Sequence, residues 1–289
     1  VRVAVVGDAA LDVLVRQHGP VVAGGDTRAR TRLASGGAGA NTARWLRLAG
    51  VEPVLLARVG DDAAGRLVSA ELARAGVACA FAVDPDAPTC TVVVLVGDGG
   101  QRSMLADRGA GERLRPADVT GPALRTAAHV HVSGYVLLDP ASRPAGLAAL
   151  AAAREAGLTS SVDPQAAALL TDPAGFLADV TGVDLLLPNA DELRALTGSA
   201  EPASARALLD AAGAVAVTAG PRGAAWVSAD GLVTVPAEPA TCVDSTGAGD
   251  AFDAGLLAAW LHGESTVDCL RAGVRLATRA MSVLGAQPE

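Results

Sequence analysis

The sequence predicts an α/β protein: a mostly parallel sheet covered by helices on both faces, with a small second β-sheet appended. Three observations carry that expectation. Short β-branched runs alternate with longer helical patterns over most of the 289 residues, as βαβ units require. Two stretches break this rhythm with strand-like alternation and no helix. Two glycine-rich loops stand directly before helical patterns, a placement that in open parallel sheets lies beside the ligand crevice.

Taken in order, strands are expected at 2–6, 54–59, 129–133, 159–162, 184–187 and 215–218. Helices are expected at 40–48, 65–75, 145–156, 191–197 and 203–211, and two more at 247–261 and 266–284, joined by HGES. The segment 11–35 reads VLVRQ and then GGDTRARTRLAS, with no helical period. The segment 90–107 reads as two strands, TVVVLV and QRSMLA, around Gly97-Asp98-Gly99-Gly100, a strong hairpin signal. The simplest assembly makes these two segments, about 11–35 and 90–108, a β-sheet flap that closes over a ligand. No internal repeat or low-complexity linker divides the chain, so 1–289 reads as one domain.

Composition excludes several partners. The net charge is −8 and aromatics are 2%, so there is neither a basic field for nucleic acid or anionic lipid nor a base-stacking surface. No apolar run reaches membrane-spanning length. The four cysteines (Cys79, Cys90, Cys242, Cys269) are scattered without metal-ligand spacing and read as buried free thiols of a reducing compartment. The start, VRVAVVGD, has no charged leader or cleavage site. A soluble cytoplasmic protein is the expectation.

DSTGAGDAF, residues 244–252, looks built for an anion, yet no lysine exists in the chain. A Walker A loop is therefore excluded, and the missing third glycine argues against a dinucleotide fingerprint. Backbone N–H groups at Gly247, Ala248, Gly249 and Asp250, with the positive end of the following helix, can hold an anion without a cation. Asp250 has two readings on spacing alone. It is an ordinary first-turn acid favoured by the helix dipole, or a general base acting on an attacking hydroxyl. SGGAGANTA, residues 35–43, is a second glycine-rich entry to a helix, and Asn41 offers a donor and an acceptor to a polyol.

These loops, with Gly7-Asp8-x-x-Leu11-Asp12, VGDDAAG (59–65), NADE (189–192), VTAGPRGA (217–224) and GAQ (285–287), occur together in an order that resembles the ribokinase (PfkB) family of carbohydrate kinases. The resemblance spans nearly the whole chain. It implies a ribokinase-like, Rossmann-type three-layer α/β/α body with a small β-sheet lid, and ATP-dependent phosphorylation of a hydroxymethyl group on a small sugar. Asp250 matches the family's catalytic base, and Gly247, Ala248 and Gly249 its anion hole. Asp12, Gly36, Gly37 and Asn41 match positions that hold substrate hydroxyls. Asn189 and Glu192 match the N-x-x-E motif that places Mg²⁺, Glu192 through water, and the nucleotide phosphates. Thr218, Gly220 and Gly223 match the loop along the nucleotide. Asp244 and Thr246 resemble a monovalent-cation site of some members, with K⁺ as the expected ion. A homodimer is expected, the lid strand pairing across a two-fold axis as in related kinases. A nucleoside kinase and a non-catalytic sugar- or nucleotide-binding regulator remain as alternatives on the same scaffold. Two departures, Ala38 where some ribokinases carry lysine and Gly111 where many members carry asparagine, leave the sugar open.

Other residues have plainer readings. His129 and His131 face one side of a strand and invite a metal, but without a third ligand they read as core or surface polar packing. The arginines of the flap, Arg28, Arg30, Arg32, Arg102 and Arg108, read as solvated charge, with Arg108 the candidate for a substrate contact. Asp139 reads as a turn residue before Pro140 or as a group reaching the cleft. Trp45 and Trp260 read as core anchors.

Overall fold

The computed structural model describes residues 1–96, 102–282 and 285–288. Nine strands form the main sheet: β1 (Arg2–Val6), β4 (Glu52–Gly60), β5 (Ala78–Asp84), β8 (His129–Ser133), β9 (Thr159–Asp163), β10 (Val183–Leu186), β11 (Ala212–Thr218), β12 (Ala224–Ser228) and β13 (Gly231–Val235). Their order is β13-β12-β11-β10-β9-β8-β1-β4-β5. All neighbours pair parallel except the β11–β12–β13 edge, which is antiparallel. The chain runs outward from β1 through β4 to β5, then returns to lay β8 on the other side of β1. The order therefore reverses at β1 and β8, and the crevice beyond their carboxyl ends is the expected ligand position.

Alternation along the central strands feeds two cores. Val3 and Val5 of β1 face one layer with Trp45, Leu55, Phe252 and Leu256. Ala4 and Val6 face the other with Leu56, Val130, Leu150 and Phe176. The first layer is built by α1 (Ala38–Leu48), α2 (Ala63–Arg74), α9 (Ala248–Leu261) and α10 (Thr266–Met281). Helices α6 (Arg143–Glu155), α7 (Pro173–Asp179) and α8 (Ala190–Thr197) cover the second face, with three shorter ones, α3 (Pro116–Val119), α4 (Pro122–Arg125) and α5 (Gly134–Leu138). Helix α9 is buried on all sides from Asp250 to Ala258, as a central helix must be. It meets α10 through glycine: a Cβ on Gly255 would lie 2.5 Å from the Ala272 carbonyl oxygen.

The second sheet is built by β2 (Ala10–Gln17), β3 (Ala29–Gly36), β6 (Thr91–Val96) and β7 (Arg102–Asp107), in the order β3-β2-β6-β7. Both rhythm-breaking segments thus meet in one sheet. The Gly97–Gly100 turn lies outside the described residues, as do the last two positions of the helix expected at 266–284. Two expectations need correction. The stretch 203–211 is 3₁₀ from Pro202 to Leu208, and of the four cysteines Cys242 is exposed and Cys79 only half-buried.

Candidate active site

A cavity of about 980 Å³ opens beyond the carboxyl ends of β1, β8 and β9. Asp8 follows β1, Tyr135 follows β8, Gln165 follows β9, and all three line it. The small sheet forms the opposite wall. Strand alternation aims Asp12, Leu14, Val92, Val94 and Met104 inward, while Leu33, Val13, Val93 and Leu105 form a cross-strand row on the opposite parity, with Leu33 also reaching the cavity rim. Of the residues singled out from sequence, Asp12, Gly37, Asn41, Arg108, Asp244, Thr246, Gly247 and Asp250 meet around this one space.

Asp250 stands in the first turn of α9 and is buried. Its Oδ2 accepts a hydrogen bond from Asn41 Nδ2 at 3.0 Å, and its Oδ1 accepts one from Gln165 Nε2 at 3.3 Å. Burial pushes this carboxyl up to about 6; the two amides pull it down and Asp8 adds to the rise. Asn41 is itself oriented, because Gln287 Nε2 donates to its Oδ1 at 3.0 Å. Gln287 in turn accepts from Ser35 Oγ and from Arg44, and Trp45 Nε1 donates to the Ala286 carbonyl. Residues 285–288 are thus strapped across the entrances to α1 and α9.

The anion loop is held from below. Asp244 Oδ1 accepts from the Thr246 N–H at 2.7 Å, and Oδ2 from the Gly285 N–H at 2.8 Å. Gly247 caps α9 at φ 73°, and a Cβ there would lie 2.4 Å from the Ala286 carbonyl oxygen. The Ala248 N–H turns back to the Ser245 carbonyl at 3.3 Å. The N–H groups of Gly249 and Asp250, second and third in the helix, have no intrahelical acceptor. A Cβ on Gly249 would meet nothing within 4 Å. That glycine keeps space open rather than filling it.

At the acceptor end, burial and then the neighbouring Asp8 push Asp12 up to about 7. Gly36 makes room for it, since a Cβ there would lie 2.2 Å from the Asp12 carboxyl carbon. Arg108 packs its guanidinium 5.1 Å from the Tyr135 ring centre and 3.9 Å from Asp139. Its buried Nε has no hydrogen-bond partner. Asp139 fills the turn role, its Oδ1 accepting from the Ala141 N–H, and it touches Arg108 rather than lining the cavity itself.

The N-x-x-E residues lie apart from the cavity wall, after β10. Asn189 and Glu192 form a capping box: Asn189 N–H and Nδ2 donate to Glu192 at 2.8 and 2.6 Å. Burial lifts Glu192 to about 7 against those two bonds. Thr218 bridges to Asn189 from the end of β11. Gly220 and Gly223 follow with φ 55° and 89°; a Cβ on Gly223 would lie 2.0 Å from the Val235 carbonyl oxygen.

Several participants escaped the sequence reading. Gln165 and Gln287 hold the ends of the Asp250 network. Asp163 and Asp253 hydrogen-bond to each other beside it, and burial raises both well above the ordinary range. Only the GAQ motif hinted at any of these. Among the described residues no group of three or more His, Cys, Asp or Glu side chains could hold a metal ion. His129 and His131 are fully buried against Thr159 and Ser161, and burial holds them down at about 3 and 4. They are core residues.

Comparison with known proteins adds three similarities and a family match. Residues 2–289 match the family model described as pfkB family carbohydrate kinase. An ATP-dependent ribose-1-phosphate kinase from Halopiger xanaduensis is 33% identical over 264 residues, covering 90% of this chain and 85% of that protein. The structure of Arabidopsis thaliana ribokinase complexed with ribose and ATP is 26% identical, with a TM-score of 0.82, covering 98% of this chain and 93% of the other. An adenosine kinase from Sinorhizobium meliloti, 23% identical with a TM-score of 0.89 and covering 99% and 95%, shares the fold.

Proposed function

The chain belongs to the pfkB family of carbohydrate kinases, and from that premise we propose that Asp250 is the base for phosphoryl transfer from ATP to a sugar hydroxymethyl group. The protein is a phosphotransferase with an alcohol acceptor. The observation that carries the assignment of Asp250 is its position. A buried carboxyl borders the cavity one residue after Gly249, whose missing side chain leaves the helix N-terminus open.

In this reading Asp250 takes the proton of the attacking hydroxyl, and the Gly249 and Asp250 N–H groups face the charge that develops on the transferred group. Asp12, Asn41 and Gly37 hold the sugar, with Gly36 giving Asp12 its room. Asn189, Thr218, Gly220 and Gly223 hold the nucleotide. Bound MgATP supplies the phosphoryl group and neutralises its oxygens. Glu192, with both oxygens already engaged by Asn189, suits a Mg²⁺ reached through water. Asp244 and Thr246 brace the anion loop, and a K⁺ beside them belongs to the same proposal. The small sheet acts as the lid, excluding water that would compete as acceptor.

The substrate class we favour is a pentose, free or already phosphorylated. The similarity to a ribose-1-phosphate kinase supports it, and the guanidinium of Arg108, whose buried Nε makes no hydrogen bond and meets Asp139 only at 3.9 Å, is suited to an anionic substituent. A nucleoside finds less here. Tyr135 is the single aromatic among the described lining residues, and Arg108 already covers its ring. The row Leu33, Val13, Val93 and Leu105, with Leu33 and Leu105 more than half exposed, is the proposed homodimer face. No helix among the described residues is long and apolar enough to cross a membrane; we place the enzyme in the cytoplasm, where ATP and reduced thiols coexist. ADP release measured with D-ribose, ribose 1-phosphate, D-fructose and adenosine tests the reading. Release with a sugar supports it, and none with any sugar contradicts it.

A further inference from the structure

Asp250 is gripped from two sides, and one grip comes from a residue in an unusual backbone conformation. Gln165 has φ 68° and is the one non-glycine residue with positive φ among those described. Such a conformation persists where the surroundings impose it, and it clusters at functional sites. The surroundings here are Asp163. Its Oδ1 accepts the Gln165 backbone N–H at 2.8 Å, and its Oδ2 accepts Gln165 Nε2 at 2.6 Å. The same Nε2 is 3.3 Å from Asp250 Oδ1. An amide nitrogen carries two protons, so it can serve both carboxylates at once. The flipped amide would set its oxygen against two carboxyl groups, which fixes the orientation.

We propose that Gln165 is a positioning residue for Asp250, aiming its Oδ1 into the cavity through an amide shared with Asp163. The proposal rests on the reading of Asp250 as the base. The chain here accepts an unfavourable backbone conformation at Gln165 to bring one uncharged donor to that oxygen. Asn41 supplies the matching donor on Oδ2 from α1. The ionisable groups bearing on Asp250 are Asp8 after β1, Tyr135 on α5, Asp163 at the end of β9, Glu192 on α8 and Asp253 on α9. All of these are acids, so each negative charge among them opposes ionisation of Asp250. The two amides favour it.

Gln165→Gly separates positioning from folding, because glycine adopts positive φ without strain. Its melting temperature should stay within a few degrees of the parent's. Two readouts then apply. In ¹³C NMR of the aspartate carboxyl carbons, with Asp250 assigned by its loss in Asp250→Asn, the Asp250 midpoint should move to higher pH in Gln165→Gly. In ADP release with ribose 1-phosphate or D-ribose, kcat should fall on the order of ten- to a hundredfold with KM for ATP little changed. Gln165→Asn, one methylene shorter, should fail like Gln165→Gly. An unmoved midpoint, or parental kcat in Gln165→Gly, overturns the proposal. If the parent itself releases no ADP with any sugar, the kinase reading fails, and the carboxyl midpoint still decides the contact.

Discussion

The two glycine-rich loops look alike in the sequence, and both open helices of the same layer, yet their glycines answer to different neighbours. In residues 35–41 the glycines are demanded by the protein itself. A Cβ on Gly37 would meet the Asp8 carbonyl oxygen at 2.7 Å, and one on Gly39 would meet Gly7 Cα at 2.8 Å. In residues 244–250 only Gly247 is packed in that way. A Cβ on Gly249 would meet nothing within 4 Å. A glycine with a crowded Cβ position records internal packing, whereas the vacant Cβ position of Gly249 leaves the helix N-terminus open, as the proposed anion site requires.

The comparison breaks most visibly at the residue beside the vacancy. Asp250→Asn should lower turnover by roughly 10²–10⁴-fold, the range for loss of a general base, while calorimetry still shows ATP binding. Next comes Gly249→Val. It keeps the backbone N–H but puts a branched side chain into the open space beside it, and by keeping the transferred group from that donor it should cost about 10²–10³ in kcat, with no loss of melting temperature, since valine is a better helix former than glycine. Gly39→Ala should do the reverse. It forces backbone against backbone and should destabilise by about 1–3 kcal/mol in denaturant titration, with kcat per folded molecule close to the parent's. If Gly249→Val unfolds the protein and Gly39→Ala does not, the distinction between the loops is wrong.

A smaller effect sharpens the role of burial. Because Asp250 must be ionised to act and its carboxyl is raised to about 6, kcat/KM should decline as pH falls through 6. Stability runs the other way. The folded chain keeps this proton up to about pH 6, whereas an unfolded chain releases it near 3.8, so the associated stability is lost as pH rises through that window. Asp250→Asn should therefore melt higher than the parent at pH 8, and the gap should close toward pH 4. The least effect is expected at the nucleotide end. Glu192→Gln keeps the shape of the capping box and should cost about 1 kcal/mol or less, read from Tm, with a raised Mg²⁺ requirement.

How much of this was legible depended on periodicity and on how local each contact is. The parallel strands β1, β4, β8, β9, β10 and β11 showed as β-branched runs, and the second sheet as two interruptions of the βα rhythm. β5 and the β12–β13 edge were missed: ACAFAVD and AAWVS are rich in alanine, a weak strand former, and GLVTV is only five residues long. The helix expected at 203–211 became 3₁₀ after Pro202, the proline standing at its start. In the site, the motif residues were visible because glycine and acid at fixed spacing carry a mechanism. Gln165 and Gln287 were not. Their hydrogen bonds to Asp250 and Asn41 join residues 85 and 246 positions apart, and a glutamine in such surroundings has no local signature. Asp163 and Asp253 were hidden in the same way, since only the fold brings β9 beside α9.

The most direct test is a structure with a non-hydrolysable ATP analogue and ribose 1-phosphate bound. The terminal phosphate should lie within hydrogen-bond distance, about 3 Å, of the Gly249 and Asp250 N–H groups, with a sugar hydroxyl against Asp250 Oδ1. A terminal phosphate seated elsewhere, with Asp250 turned from the sugar, would contradict the account.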